Sequence, residues 1–582
     1  MTATTIRGIA RAVLLLLSTG FAVSGWAVVP EFDLAIQGGR IFDGTGAPSY
    51  LGDVGIRGDR IVYVGPPRPM RAKQVIDAHE RGVAPGFINM LSQAQESLMV
   101  DGRAESDLVQ GVTLEVMGEG DSMGPLTDAM IKRDEGRQSD IKYPITWHTL
   151  GEYLEGRERS GISLNIASFV GASTVRDVVL GEDDIQPTPA QLRAMQRLVH
   201  QAMSEGALGV SSALIYAPAA YAHTEELAAL ASEAGKCGGI YITHMRSEAD
   251  RLLEAVDETI SIAQQSGAPA EIYHLKAAGR SNWSKLDQVI DKVNAARAAR
   301  IRITANMYTY TASETGLDAT MPPWVRAGGL EAWIERMKDP VNRARVETEM
   351  EDPHAGYENL YLKAGAEGML LAGFKSDKLK PLTGRTLAEV ARMRHESAPQ
   401  AAMDLVIEDG SRVEVFYSMM SEDNVRKQAG LPWMSFGSDA PAPAPEGVFL
   451  ASRSHPRAYG NFARLLAKYV RTEKALALPD AIRRLSGLPA ANLSLQHRGL
   501  LKKGYYADVV VFDPTSIEDH ATYENSDQLA TGVTHVLVNG QVALAEGHPT
   551  EARSGRFVRG RAWSGRSGGG CRASAKDWSW TW

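Results

Sequence analysis

The chain has 582 residues, enough for one barrel-sized domain with additions and for a large buried core. Hydrophobic residues make up 44% and charged residues 23%, which excludes a mainly disordered chain. Lys+Arg 62 against Asp+Glu 70 leaves a net charge of −8, so there is no basic face for nucleic acid, and two cysteines, Cys237 and Cys571, exclude a disulfide scaffold and a four-cysteine zinc site.

The N-terminus reads as a targeting segment. Arg7 and Arg11 precede an apolar run, Ala12 to Val23, and small residues follow to Ala27. A basic start, a short apolar core and a small residue at the end predict a signal peptide over 1–27, with a retained N-terminal anchor as the alternative. Ser18, Thr19 and Gly20 interrupt the run too early for a comfortable membrane span, and no other stretch is long and apolar enough. The mature protein is expected to be periplasmic or secreted, without a stable membrane span.

Residues 28–85 predict short strands separated by turn residues, such as Asp33-Leu34-Ala35-Ile36 before Gly38-Gly39. Residues 496–561 look alike. Val533 to Val538, Asn539-Gly540 and Gln541 to Leu544 spell a hairpin. Both ends together predict one small β-sandwich domain.

Between them, 86–495 alternates strands and helices. Thr188-Pro189-Ala190-Gln191 supplies an N-cap, a first-turn proline and a capping-box glutamine, and Gly206 ends that helix. A strand over 208–212, a helix from Thr224 to Gly235, a strand over 239–244, a helix over 247–267 and a strand over 270–274 follow. Repeated βα units predict an α/β fold, a (β/α)8 TIM-like barrel whose chemistry sits at the strand C-terminal ends. Residues 325–400 break the rhythm with a charged, helix-rich stretch, read as a helical insertion or lid over the barrel mouth. Residues 562–582 are Gly/Ser-rich, end in Trp578, Trp580 and Trp582, and read as a disordered tail.

His244 and His274 close two consecutive strands, so both imidazoles reach the same barrel mouth. Asp439 closes a later strand and Glu119 an early one. A lone histidine on a strand is more often a packed residue than a ligand. Two at successive strand ends, joined by terminal carboxylates, favour a catalytic zinc set with an open position for water. Glu115 competes with Glu119, because strict strand alternation puts residues four apart on the same side.

These pieces resemble the amidohydrolase superfamily, in particular its D-aminoacylase (N-acyl-D-amino-acid deacylase) group. The resemblance is carried by Ala84-Pro85-Gly86-Phe87-Ile88, Gln110-Gly111-Val112-Thr113, the run from Gly206 to Pro218, Ile242-Thr243-His244-Met245-Arg246-Ser247-Glu248, His274-Leu275-Lys276-Ala277-Ala278-Gly279, the run from Tyr308 to Ser313, Gly437-Ser438-Asp439 and His455-Pro456-Arg457. It spans about 32–560. It implies a metal-dependent barrel in which His244 and His274 match the zinc ligands, Asp439 the catalytic aspartate, and Lys276, Tyr308 and Arg457 the residues that hold a substrate carboxylate.

The chain also departs from the group. Where a His-x-His motif belongs, Leu91 and Gln93 stand, and leucine cannot ligate, so a second metal at that position is not expected. No cysteine occurs in Gly118 to Ser122, where the group has a cysteine ligand. Glu119 is the nearest chemical substitute, with Asp121 and Glu115 left open. Ala172 replaces a further histidine. The expectation is a hydrolase of carbon–nitrogen bonds other than peptide bonds, holding one zinc on Glu119, His244 and His274. Its substrate would be a small molecule with a free carboxylate, an N-acyl-D-amino acid or a dipeptide with a D-residue. Two rival readings are a cyclic amide or lactone hydrolase and a non-catalytic binding protein on the same scaffold. The sequence does not fix the oligomeric state.

Overall fold

The computed structural model describes residues 30–563 and residue 571. The expected signal peptide therefore lies outside the described residues, as does most of the expected tail.

Phe32–Ile41, Tyr50–Arg57, Arg60–Gly65, Ala72–Asp77 and Gly82–Pro85 join Val509–Phe512, Val533–Val538, Gln541–Ala545 and His548–Pro549 in one nine-stranded sheet. These strands make the β-domain expected from the two chain ends, with hydrogen bonding continuous through all nine and branching at Phe32–Ile41, which pairs with three of them. The two chain ends meet where Gly82–Pro85 pairs antiparallel with Val509–Phe512. Leu34, Ile36, Val54, Ile56, Val509 and Val511 share one buried cluster, so each end supplies the apolar surface that the other lacks.

The barrel strands lie in two parallel sheets, one of three strands and one of six. The third strand of the first sheet, Asn165–Ser168, continues after one residue as the edge strand of the second, Val170–Gly171. Counted once, that broken strand makes eight. The ring closes where Met90 N–H donates to Phe436 O at 3.1 Å. Ile88, Leu114, Val116, Ile240, Ile242 and Tyr273 form one apolar cluster inside it, so the barrel is packed rather than hollow. Val210, Ala270, Ile303 and Ala305 instead pack in the cluster that holds Val199 and Met203 of the helix Pro189–Glu205.

That helix has the ends its sequence predicts. The Thr188 side chain accepts from Gln191 N–H, Gln191 answers the Thr188 N–H, Pro189 takes the first position and Gly206 ends it at φ 117°. Thr188→Ala is expected to loosen the first turn by about 1 kcal/mol. Hydrogen exchange should then speed up about fivefold at the Gln191 amide and remain unchanged beyond the second turn.

The inserted unit is larger than the expected 325–400. It begins with the strand Ala312–Gly316, which pairs antiparallel with Glu414–Ser418, and that strand pairs with Met369–Gly373. Helices between Pro323 and Asp409 cover this sheet. Trp333, Met337, Val346, Leu387, Leu405 and Tyr417 give the unit a core of its own. The strands escape a reading of the sequence because their partners lie tens of residues apart, with no hairpin turn between them.

The tail also differs from expectation at one described residue. Cys571 forms a disulfide with Cys237, closing a separation of 334 residues.

Candidate metal and hydrolytic site

His244 is the last residue of its strand, and the other site residues sit just beyond theirs, where the backbone is free to turn. Val112–Met117 ends before Gly118, whose φ of 94° only glycine adopts easily, and Glu119 follows. Ala270–Ile272 ends two residues before His274 (φ 30°), and Met434–Phe436 ends three before Asp439 (φ 52°). Positive φ at two non-glycine residues costs of order 1–3 kcal/mol each and persists only where the surroundings impose it. Here they do. His274 N–H donates to Asn306 Oδ1 at 2.8 Å, and Asp439 N–H donates to Leu91 O at 2.8 Å.

Glu119 Oε1 faces both imidazoles, 2.7 Å from His274 Nε2 and 3.3 Å from His244 Nδ1. The ligand atoms of these three residues lie within 4.8 Å of one another. His244 Nε2 is buried without a hydrogen-bond partner. Two imidazole nitrogens and a carboxylate oxygen within that span fit a zinc ion, and the unpartnered Nε2 is the His244 nitrogen on the other side of the ring, toward Glu248. Burial and Lys276 lower the His274 pKa, but Glu248 and Glu119 outweigh them and raise it to about 9. Without metal, a proton therefore stands where a cation would bind.

Glu115 is not part of this group. Strand alternation holds only as far as Met117, and the turn at Gly118 resets it. Glu115 points to the outer face, where Asn89 Nδ2 donates to it at 3.0 Å and to Asp107 at 2.9 Å. Burial raises the Glu115 pKa to about 6. Asn89 Oδ1 accepts from Ser438 N–H at 2.9 Å, so this buried acid pair braces the residue before Asp439. Asp121 lines the cavity but lies outside the three-residue cluster. Leu91 is fully buried in the barrel core, and Ala172 opens the helix Ala172–Leu180.

Asp439 Oδ2 lies 2.8 Å from Arg457 Nη1. The Arg457 guanidinium sits 4.7 Å from the centre of the Tyr308 ring. Arg457 Nε and Tyr308 Oη are buried donors without partners, an arrangement suited to an incoming anion. Lys276 Nζ is 2.7 Å from Glu248 Oε1 and 2.7 Å from His274 Nδ1. The salt bridge commits Lys276 to Glu248 and leaves part of its three-donor capacity for a ligand.

Glu248 is the residue that sequence reading missed. The helix expected from 247 begins only at Leu252, and the loop before it carries Glu248 into the site. Its Oε1 lies 3.0 Å from His274 Nδ1, the ring nitrogen opposite the one facing Glu119. Burial alone would raise the Glu248 pKa; Lys276, His244 and His274 outweigh it and hold the carboxyl well below the usual range. A histidine that donates one N–H to a carboxylate presents the other nitrogen as a fixed ligand. Glu248→Gln is therefore expected to weaken zinc affinity about 10–100-fold, measured by competition with a chelator of known affinity. Unchanged affinity would remove Glu248 from the site.

These residues open into a cavity of about 910 Å³. The barrel supplies Glu119, His244, His274 and Asp439, and the inserted unit supplies Arg326, Trp333, Arg412 and Glu414. That volume exceeds what a small acyl amino acid needs.

The model of the amidohydrolase family matches residues 74–544. A D-aminoacylase from Alcaligenes xylosoxydans xylosoxydans is 30% identical, over 90% of this chain and 97% of its own. A solved D-aminoacylase with a binuclear metal centre, described as activated by one metal and attenuated by a second, superposes with a TM-score of 0.76 at 30% identity, covering 91% of this chain and all of that one. An N-acyl-D-glutamate deacylase from Bordetella bronchiseptica, solved with zinc and a phosphonate mimic of the tetrahedral intermediate, gives a TM-score of 0.74 at 27% identity over 91% of this chain and 99% of its own. On this match, with the barrel and its acid–histidine cluster, the chain belongs to the amidohydrolase family, metal-dependent hydrolases of carbon–nitrogen bonds other than peptide bonds.

Proposed function

We propose that the protein is an exported zinc amidohydrolase that cleaves a linear amide next to a free carboxylate, in an N-acyl-D-amino acid or a dipeptide with a D-residue. The observation that carries this reading is one cavity lined by both the Glu119–His244–His274 cluster and Arg457, whose guanidinium has an unpartnered Nε and lies 4.7 Å from the Tyr308 ring. Glu119, His244 and His274 would hold the zinc, which would supply polarisation of the scissile carbonyl and acidification of a water. Asp439 accepts the water proton and returns it to the leaving amine. Arg457 and Tyr308, with the free capacity of Lys276, hold the carboxylate beside that amine. The handedness is that of the relatives' substrates. The Cys237–Cys571 disulfide supports an oxidising compartment and thus export to the periplasm or medium.

The test is zinc content per chain, followed by turnover of matched N-acyl-D- and N-acyl-L-amino acids. About one zinc and preference for the D series support the reading; turnover of neither series overturns it. Arg457→Ala removes a charged hydrogen bond worth about 1.5–3 kcal/mol, so KM should rise roughly 10- to 150-fold on linear substrates. An unchanged KM on linear substrates would favour cyclic amides or lactones, which carry no such carboxylate.

A further inference from the structure

Gln93 occupies a position that the mechanism above leaves unused. Its Nε2 lies 2.7 Å from Glu119 Oε2 and 3.4 Å from Asp439 Oδ1. Ionised carboxylates only accept, so the amide must present its nitrogen to them, and its two N–H groups serve one carboxylate each. The Glu119 oxygen contacted is Oε2, whereas the imidazoles face Oε1. Gln93 thus joins the proposed metal ligand to the proposed proton acceptor without competing for the ligand atom.

Arg457 faces Asp439 Oδ2 and the imidazoles face Glu119 Oε1, which leaves Asp439 Oδ1 and Glu119 Oε2 as the carboxylate oxygens whose repulsion in the buried cavity something else must relieve. A divalent cation is one solution, and a pair of amide hydrogens is another. The amide carries no net charge, and its nitrogen lies within hydrogen-bonding distance of both Glu119 Oε2 and Asp439 Oδ1. Leu91, two residues earlier, offers no ligand there. Resting on the proposed metal site, we infer that Gln93 is a positioning residue that takes the place of a second cation. It holds Asp439 in register with Glu119 and restricts the site to a single metal.

The test measures zinc stoichiometry by native mass spectrometry as zinc is added to the full-length enzyme, for wild type, Gln93→Glu and Gln93→Leu. Wild type should stop at one equivalent. Gln93→Glu, which replaces the donors with a third carboxylate, should take up a second. Gln93→Leu should stay folded by circular dichroism and keep one zinc. Its kcat should fall about 10–100-fold while KM moves less than twofold, because the carboxylate-binding residues are untouched. Two equivalents in wild type, only one in Gln93→Glu, or wild-type kcat in Gln93→Leu would overturn the role of Gln93 and leave the metal site standing. No zinc in any variant would overturn the metal site itself and this inference with it.

Discussion

Asp439→Asn is expected to lower kcat by roughly 10²–10⁴ while leaving zinc content and KM close to wild type. The substitution is nearly isosteric, and asparagine tolerates the left-handed backbone at φ 52° at least as well as aspartate. The amide oxygen can still face Arg457 Nη1, which lies 2.8 Å from Oδ2 in the wild type. What disappears is the group that accepts a proton, together with the second acceptor oxygen, which faces Gln93 Nε2 at 3.4 Å. Zinc content separates the readings. Loss of metal together with activity would make Asp439 a ligand. A kcat within twofold of wild type would remove it from the reaction. A binding protein on this scaffold would show the same ligand affinity in both forms, since binding requires no proton acceptor.

Much of this site was legible because its residues follow strands that are legible themselves. Ile240, Ile242 and His244 alternate toward the barrel interior, so the strand pattern already aims His244 into the mouth. Glu119 was harder to place. Alternation equates it with Glu115, and only the turn at Gly118 separates the inward carboxylate from the outward one. Glu248 was hidden for a different reason. It sits in a stretch with helix-forming composition, but Ser247 Oγ and Glu248 N–H are bound by Glu358 of the inserted unit at 2.7 and 2.8 Å. A partner 110 residues away draws the loop open, and local propensity carries no trace of it. The inserted sheet failed on the same ground, as did Cys571, whose Gly/Ser-rich surroundings gave no sign of its bond to Cys237. Gln93 was visible as the absence of an imidazole. Its positive role emerges only when Glu119 and Asp439, distant in sequence, meet on either side of it.

Glu119→Ala is expected to abolish tight zinc binding and turnover together, whereas Glu119→Cys should retain zinc. The argument rests on the donor set. Two neutral imidazoles carry no charge to balance a dication, and the third residue must supply it from within a buried cavity. Alanine leaves two nitrogens and a hole. A thiolate is anionic and a strong zinc ligand, so cysteine restores charge and coordination at a shorter reach. Stability should follow metal occupancy. A ligand bound to the native state alone at a thousandfold excess over its Kd stabilises it by about 4 kcal/mol. Chelation of the wild type should therefore lower its thermal midpoint, and the same treatment should leave Glu119→Ala unmoved. The metal-free fold should survive, because the protonated His274 and Glu119 still pair at 2.7 Å and Lys276 still neutralises Glu248. The comparison also tests the assignment of the ligand. Wild-type zinc affinity in Glu119→Ala would move the carboxylate ligand elsewhere, with Glu248, 3.6 Å from His244 Nε2, the next candidate in reach.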